Sequence, residues 1–369
     1  MKRYFSLILV MLLLLSAAGC STRGTEEPQE TAAPSPTVRP TEKPRATEAP
    51  AETETPEPTE EPEPAYRNPF NGEGMDEPLR ARPFTLMFDN HPQALPHCGV
   101  SQADILYEVL AEGGLTRMMG VFSDIGSVEP LGPVRSIRPY FLDIAISYGA
   151  VIGHAGGSDA AYSRISAERL NNVDGVRGSY SFAAFYRDQQ RRWNGVDLEH
   201  TLFTTGENLL KCAEERGYIL DVDGNYDTGL RFVKDGTPED GESAEKITLS
   251  FGTRGNELTY DAASGCYTMY EHDTDYVDGN TGEKVEFRNL IVMFAPAVVL
   301  DNYGRLSIDT TVGGEGYFAC GGNYVPIRWE RGAGDVFRYS LEDGSALELG
   351  VGHSYIAILP TGNGSAVFE

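Results

Sequence analysis

The sequence predicts a layered α/β (α+β) fold, a mixed-sheet sandwich with helices in the amino-terminal half and a β-rich carboxy-terminal part. Three observations predict it. Short apolar runs broken by turn residues recur from Arg82 onward. The helix signals with recognisable caps all fall before Gly217, and beyond Asp221 the runs are almost wholly strand-like. A chain of 369 residues with 40% hydrophobic and 10% aromatic residues can bury a sizeable core, and its length allows about two domains.

The first element is an address. Lys2 and Arg3 precede an apolar run from Tyr4 to Leu15, shorter than the roughly 20 apolar residues a membrane-crossing helix needs. Residues 1–19 therefore read as a secretory signal peptide. The run ends in Leu15-Ser16-Ala17-Ala18-Gly19-Cys20, which looks like a bacterial lipobox, where small residues admit the signal peptidase and the Cys20 thiol takes the diacylglyceryl group. Ala17 stands where an aliphatic residue is usual. The expected location is the extracytoplasmic face of a bacterial cell membrane, with lipidation at Cys20 as the only membrane contact. Residues 20–64 follow as a disordered tether: Ser21 to Pro64 holds 11 Glu, 4 Lys or Arg and 10 of the 22 prolines, with no aromatic residue, and cannot bury a core.

The formal charge is −25. Setting aside the −7 of the tether and the +2 of Lys2 and Arg3 leaves −20 over Ala65–Glu369. Nucleic acid is thus not an expected partner, and adhesion to anionic headgroups or wall polymers is disfavoured. Cys98, Cys212, Cys266 and Cys320 form no C-x-x-C pair, so structural zinc is not expected, while disulfides and buried thiols both stay open.

The folded part divides at the polar linker Asp235–Glu242 into residues 65–234, mixed α/β, and residues 235–369, β-rich. Phe84–Phe88 reads as a strand stopped by Asp89-Asn90-His91-Pro92. Ile105–Ala111 and Leu115–Phe122 flank Glu112-Gly113-Gly114 as a hairpin with a two-residue glycine turn, with a helix over Ala103–Glu112 as the competing reading. Tyr140–Tyr148 is expected helical, Ala150–Gly153 a buried strand, Ser158–Leu170 a helix capped by Ser158, and Gly206–Arg216 a helix capped by Thr205. Later strands are expected at Lys246–Phe251, Glu257–Tyr260, Cys266–Tyr270, Asn289–Phe294, Gly316–Ala319, Tyr324–Trp329 and Ser354–Leu359.

The order of motifs carries a resemblance. Asp89-Asn90-His91-Pro92, the run Ala103–Arg117, Gly132-Pro133-Val134-Arg135-Ser136-Ile137-Arg138, and His154-Ala155-Gly156-Gly157-Ser158 resemble the amino-terminal domain of the YerB-like bacterial lipoproteins. His200-Thr201-Leu202-Phe203-Thr204 is similar to a later His-Asn-Leu-Tyr-Thr element of that family, departing at Thr201 and Phe203. Arg288–Val292 and Pro326–Trp329 resemble its carboxy-terminal domain. The resemblance implies a layered α/β fold with a second β-rich part on a lipid-anchored envelope protein, and brings no established activity with it.

The candidate site residues come from these motifs. Across a two-residue turn Glu112 pairs with Leu115, Leu110 with Arg117 and Glu108 with Met119, which puts Glu108 and Glu112 on one face with Arg117 diagonal to both. Paired acids suit general acid/base chemistry, and equally an ion-pair ladder on a solvated face. Arg135 and Arg138 offer forked donors for a carboxylate or phosphate, or neutralise Asp89, Glu108 or Asp143 within the fold. His154, Gly156, Gly157 and Ser158 open a helix and could hold an anion on free backbone N–H groups, or form a tight turn with a structural histidine. Asp89, His154 and His200 form only a weak metal constellation. Asn90 and Thr116 complete the set as neighbours of Asp89 and Arg117. No serine-hydrolase elbow, zinc-protease pair, P-loop or calcium loop is present, and no cofactor or metal is expected.

The function expected is non-catalytic binding of a small anionic or wall-derived ligand, or of a protein partner, through a cleft near these residues. One alternative is a wall-glycan hydrolase or lyase using Glu108, Glu112 and Asp89. It lacks an aromatic sugar platform, since Trp193 and Trp329 lie far along the chain. The other is a scaffold for envelope assembly.

Overall fold

The computed structural model describes residues 63–178, 181–223, 226–331 and 336–369. The signal peptide, Cys20 and nearly all of the tether lie outside them. Eight principal elements precede residue 217: β1 (Phe84–Phe88), β2 (Ile105–Leu110), β3 (Thr116–Phe122), α1 (Pro139–Ser147), β4 (Val151–His154), α2 (Asp159–Glu168), β5 (Asn172–Asp174) and α3 (Gly206–Glu215). The later part is built from β6 (Lys246–Ser250), β7 (Gly255–Asp261), β8 (Cys266–Glu271), β9 (Asn289–Ala295), β10 (Gly314–Cys320), β11 (Asn323–Glu330), β12 (Ser354–Pro360) and β13 (Ser365–Phe368). The helices start where capping chemistry places them: Ser158 accepts from the Ala161 amide and Thr205 from the Asn208 amide.

The strands form one eleven-stranded mixed sheet, whose main path beyond the short strand Glu242–Ser243 runs β11-β10-β9-β12-β2-β3-β1-β4-β5. A second, six-stranded sheet is built on β8-β7-β6-β13. The large sheet crosses the linker: β12 lies parallel to β2 on one side and to β9 on the other. Every residue of β12 is buried, as a strand covered on both faces requires. One face of the large sheet, with Tyr107, Met119, Ile291 and Ile356, packs on α1 and α2. The other, with Leu106, Met118, Val292 and Ala357, packs on α3 and on Leu249, Leu258 and Met269 of the small sheet. This is the layered mixed fold that the patterning predicts. The four cysteines are free thiols, with Cys98, Cys212 and Cys320 buried. Among the described residues no helix is long and apolar enough to cross a membrane.

Candidate functional site

The β2–β3 hairpin forms, but in a different register from the expected one. Leu110 pairs with Thr116, Val109 with Arg117 and Glu108 with Met118. The connection is a 3-10 turn over Glu112–Gly114 closed by the Ala111 amide on the Leu115 carbonyl, with Gly113 and Gly114 both at positive φ. A slip of one residue exchanges the faces of a strand. Arg117 therefore shares its face with Val109, and Glu108 looks the other way. The expected Glu108–Glu112–Arg117 set is corrected accordingly: Arg117 meets Glu112 but not Glu108, and the two glutamates form no pair.

On the α1 side Glu112 faces two guanidiniums. Arg117 Nη2 lies 3.2 Å from Glu112 Oε2, and Arg138 donates through Nη2 (2.9 Å to Oε2) and through Nε to Oε1. Arg138 Nη1 is bound to the Ile137 carbonyl, whereas buried Arg117 Nη1 has no hydrogen-bond partner. Burial alone would raise the Glu112 carboxyl, but the Arg138 hydrogen bond and both arginine charges outweigh it and hold it below its usual value. Burial and then the neighbouring Arg138 push Arg117 down to about 10, against the pull of Glu112.

Arg135 and Asp89 belong to a second group. Arg135 Nη2 bonds Glu199 Oε2 at 2.6 Å, its Nε is 3.5 Å from Asp89 Oδ2, and that same oxygen is 2.7 Å from His200 Nδ1. His91 stacks on His200 with ring centroids 4.2 Å apart. Partial burial and then the His200 charge lower its pKa, with Asp89 opposing. The Gly132–Arg138 segment is laced to both groups and to the His154 turn, since Arg135 N donates to the Met87 carbonyl and Ile137 N to that of Gly156.

The His154–Ser158 turn is closed on itself. Gly156 N donates to Asp174 Oδ1 at 2.8 Å, and Ser158 N donates to the Ile137 carbonyl and caps α2 with its hydroxyl. A Cβ on Gly157 would sit 2.9 Å from Ile137 Cγ2. His154 is fully buried, with Nδ1 on the Gly156 carbonyl and Nε2 on Asn172, and burial lowers its pKa. Its Nδ1 lies 3.8 Å from Asp174 Oδ1, and among the described residues no three of His, Cys, Asp or Glu are grouped to hold a metal.

Glu108 and Asn90 anchor a third group, on the opposite sheet face, with partners that sequence reasoning missed. Asn90 Nδ2 donates to Thr116 Oγ1 (2.7 Å), Glu108 Oε1 (3.3 Å) and Glu271 Oε1 (2.6 Å). Asn256 Nδ2 donates to Glu108 Oε2 at 2.8 Å, and the Tyr355 hydroxyl donates to the same oxygen. Burial, and then the charge of Glu271, push Glu108 up to about 8. A recess of about 580 Å³ opens beside this group, lined in part by Thr253, Arg254, Asn256, Tyr270, Glu271 and His272. A signal for the missed residues existed: Asn256 is in phase with Leu258, and Glu271 with Tyr267 and Met269, so each puts a polar group on the apolar face of its strand. Trp193 is 78% exposed on the short helix Gln189–Trp193, while Trp329 is core.

Residues 70–219 match the family model described as the N-terminal domain of a protein of unknown function (DUF3048), and residues 247–356 match its C-terminal domain. The chain belongs to this YerB-like family. It is 28% identical over 283 residues, covering 76% of this chain and 81% of the relative, to YerB of Bacillus subtilis (strain 168), whose name describes it as a lipoprotein. The crystal structure of Bacillus subtilis YerB superposes with a TM-score of 0.70, covering 82% of this chain and 99% of that one, also at 28% identity.

Proposed function

We propose that this protein is held on the extracytoplasmic face of the membrane by a lipid at Cys20, and that it binds a small anion without transforming it. The lipobox-like run before Cys20 and the name of the Bacillus relative support the anchor. The observation that carries the binding reading is the group formed by Arg117, Arg138 and Glu112: two guanidiniums share one carboxylate, and Arg117 Nη1 is buried without a partner. An unpaired buried cationic donor is costly, and a carboxylate or phosphate oxygen would satisfy it with a charge-assisted bond. The flanking turn leaves room, since a Cβ on Gly113 would have nothing within 4 Å. Arg135, Asp89 and His200 form the neighbouring polar rim.

A thermal-shift series with the full chain in detergent tests this, using inorganic phosphate, simple carboxylates and soluble wall fragments. At least one anion is expected to raise the melting temperature in wild type and to lose that effect in Arg117→Met. No shift with any of them overturns the reading. Release of soluble product from purified wall would favour the glycan-cleaving alternative instead.

A further inference from the structure

The recess beside Glu108 holds orphaned buried acceptors on its lining. Of the residues lining it, Asn256 and Glu271 carry buried oxygens with no hydrogen-bond partner, Oδ1 and Oε2, on residues only 3% and 5% exposed, and Asn90, which bonds Glu271 from outside the lining, has an orphaned Oδ1 of its own. The amide nitrogens of both asparagines are taken by carboxylates and hydroxyls, which fixes their orientation and leaves the oxygens as the orphans. His272 is pinned against this set: it and Asp273 form the two-residue turn after β8, both at positive φ (50° and 62°) without being glycine. Arg254 Nη1 lies 3.2 Å from His272 Nδ1, and His272 Nε2, 3.3 Å from Glu271 Oε1, is buried without a hydrogen-bond partner. The charged residues lining the recess are Glu257, Glu271 and Asp273 against Arg254, with Lys246 reaching Glu257 from outside.

We propose that this recess is a binding site for a primary ammonium group, the amino end of an amino acid or short peptide. An ammonium presents three donors and no acceptor, which suits the two orphaned acceptor oxygens of the lining, one of them on a carboxylate. The charge fits as well, since the lining carries Glu257, Glu271 and Asp273 against Arg254. Burial and Glu271 push the neighbouring Glu108 up to about 8, which favours its neutral form beside Glu271. A divalent metal would ask for more: among the described residues no group of three His, Cys, Asp or Glu is placed to hold one. The site is separate from the arginine group, because Thr116 and Glu108 face one side of the sheet and Arg117 the other.

The test is calorimetric titration of the full chain in detergent at neutral pH with L-alaninamide, which carries an ammonium and no anionic group, against N-acetyl-L-alaninamide. Binding of the free amine, weakened roughly tenfold or more by acetylation and by Asn256→Ala or Glu271→Gln, is the expected result. Should Glu271→Gln fail to fold, Asn256→Ala and the acetylated probe still decide. Equal binding of the two probes overturns the proposal. So does no binding of either up to about 10 mM, or stabilisation by calcium without stabilisation by the amine. None of these outcomes touches the anion reading, which alaninamide cannot report.

Discussion

Glu108 is 1% exposed, within reach of a second carboxylate, and its pKa near 8 sets a pH dependence. The folded-state value lies above the ordinary carboxyl value, so its contribution to stability is fully present below about pH 4.5 and is lost as the pH rises through 8. Stability is therefore expected to decline over that window, by up to about 5 kcal/mol if no other group compensates. Glu108→Gln should flatten the decline, as urea melts at pH 5, 7 and 9 would report. An unchanged slope in the variant would contradict the assignment. Glu112 behaves oppositely, because it is held ionised by Arg138 and Arg117. Glu112→Gln leaves two guanidiniums facing each other and is expected to cost about 2 kcal/mol at pH 7, the scale of a partly buried ion pair broken on one side.

The β2–β3 hairpin shows what a sequence discloses about an element and what it withholds. Alternation and the glycines located both strands and the turn. The register was not legible, because Glu112-Gly113-Gly114 closes as a 3-10 turn between Leu110 and Thr116 rather than as a two-residue loop. That single residue separates Glu108 from Arg117. Gly113 and Gly114 then provide an internal comparison. Gly113→Ala meets only the left-handed backbone penalty, about 1 kcal/mol, whereas Gly114→Ala also brings a Cβ to 2.5 Å from Thr253 Oγ1 and should cost more, about 2 kcal/mol or above. Equal losses in denaturant midpoint would refute the close approach. At the β8 turn the sign reverses. Asp273→Gly relieves a positive φ at an exposed position and is expected to gain about 0.5–1 kcal/mol.

At the scale of the molecule, the strands and capped helices were readable from local pattern, but the neighbours of each strand were not. Nothing in Ser354–Pro360 announces that it lies between β2 and β9, and the partners of Glu108 stand 148 and 247 residues away at Asn256 and Tyr355. Local periodicity specifies which face of a strand is apolar, not which distant segment covers it. A chain truncated after Lys234 would leave the edge of β2 unpaired and the Leu106–Met118 face uncovered. It is expected to aggregate or to stay unfolded in size-exclusion chromatography and circular dichroism, and a soluble folded monomer would contradict this. The same arrangement governs the order of assembly. A polypeptide delivered from its amino end has nothing to join the two halves of its largest sheet until Ser354–Pro360 arrives, so maturation waits on a segment made after both of its neighbours. Any product that stops before Ser354 is left with an open seam between β2 and β9.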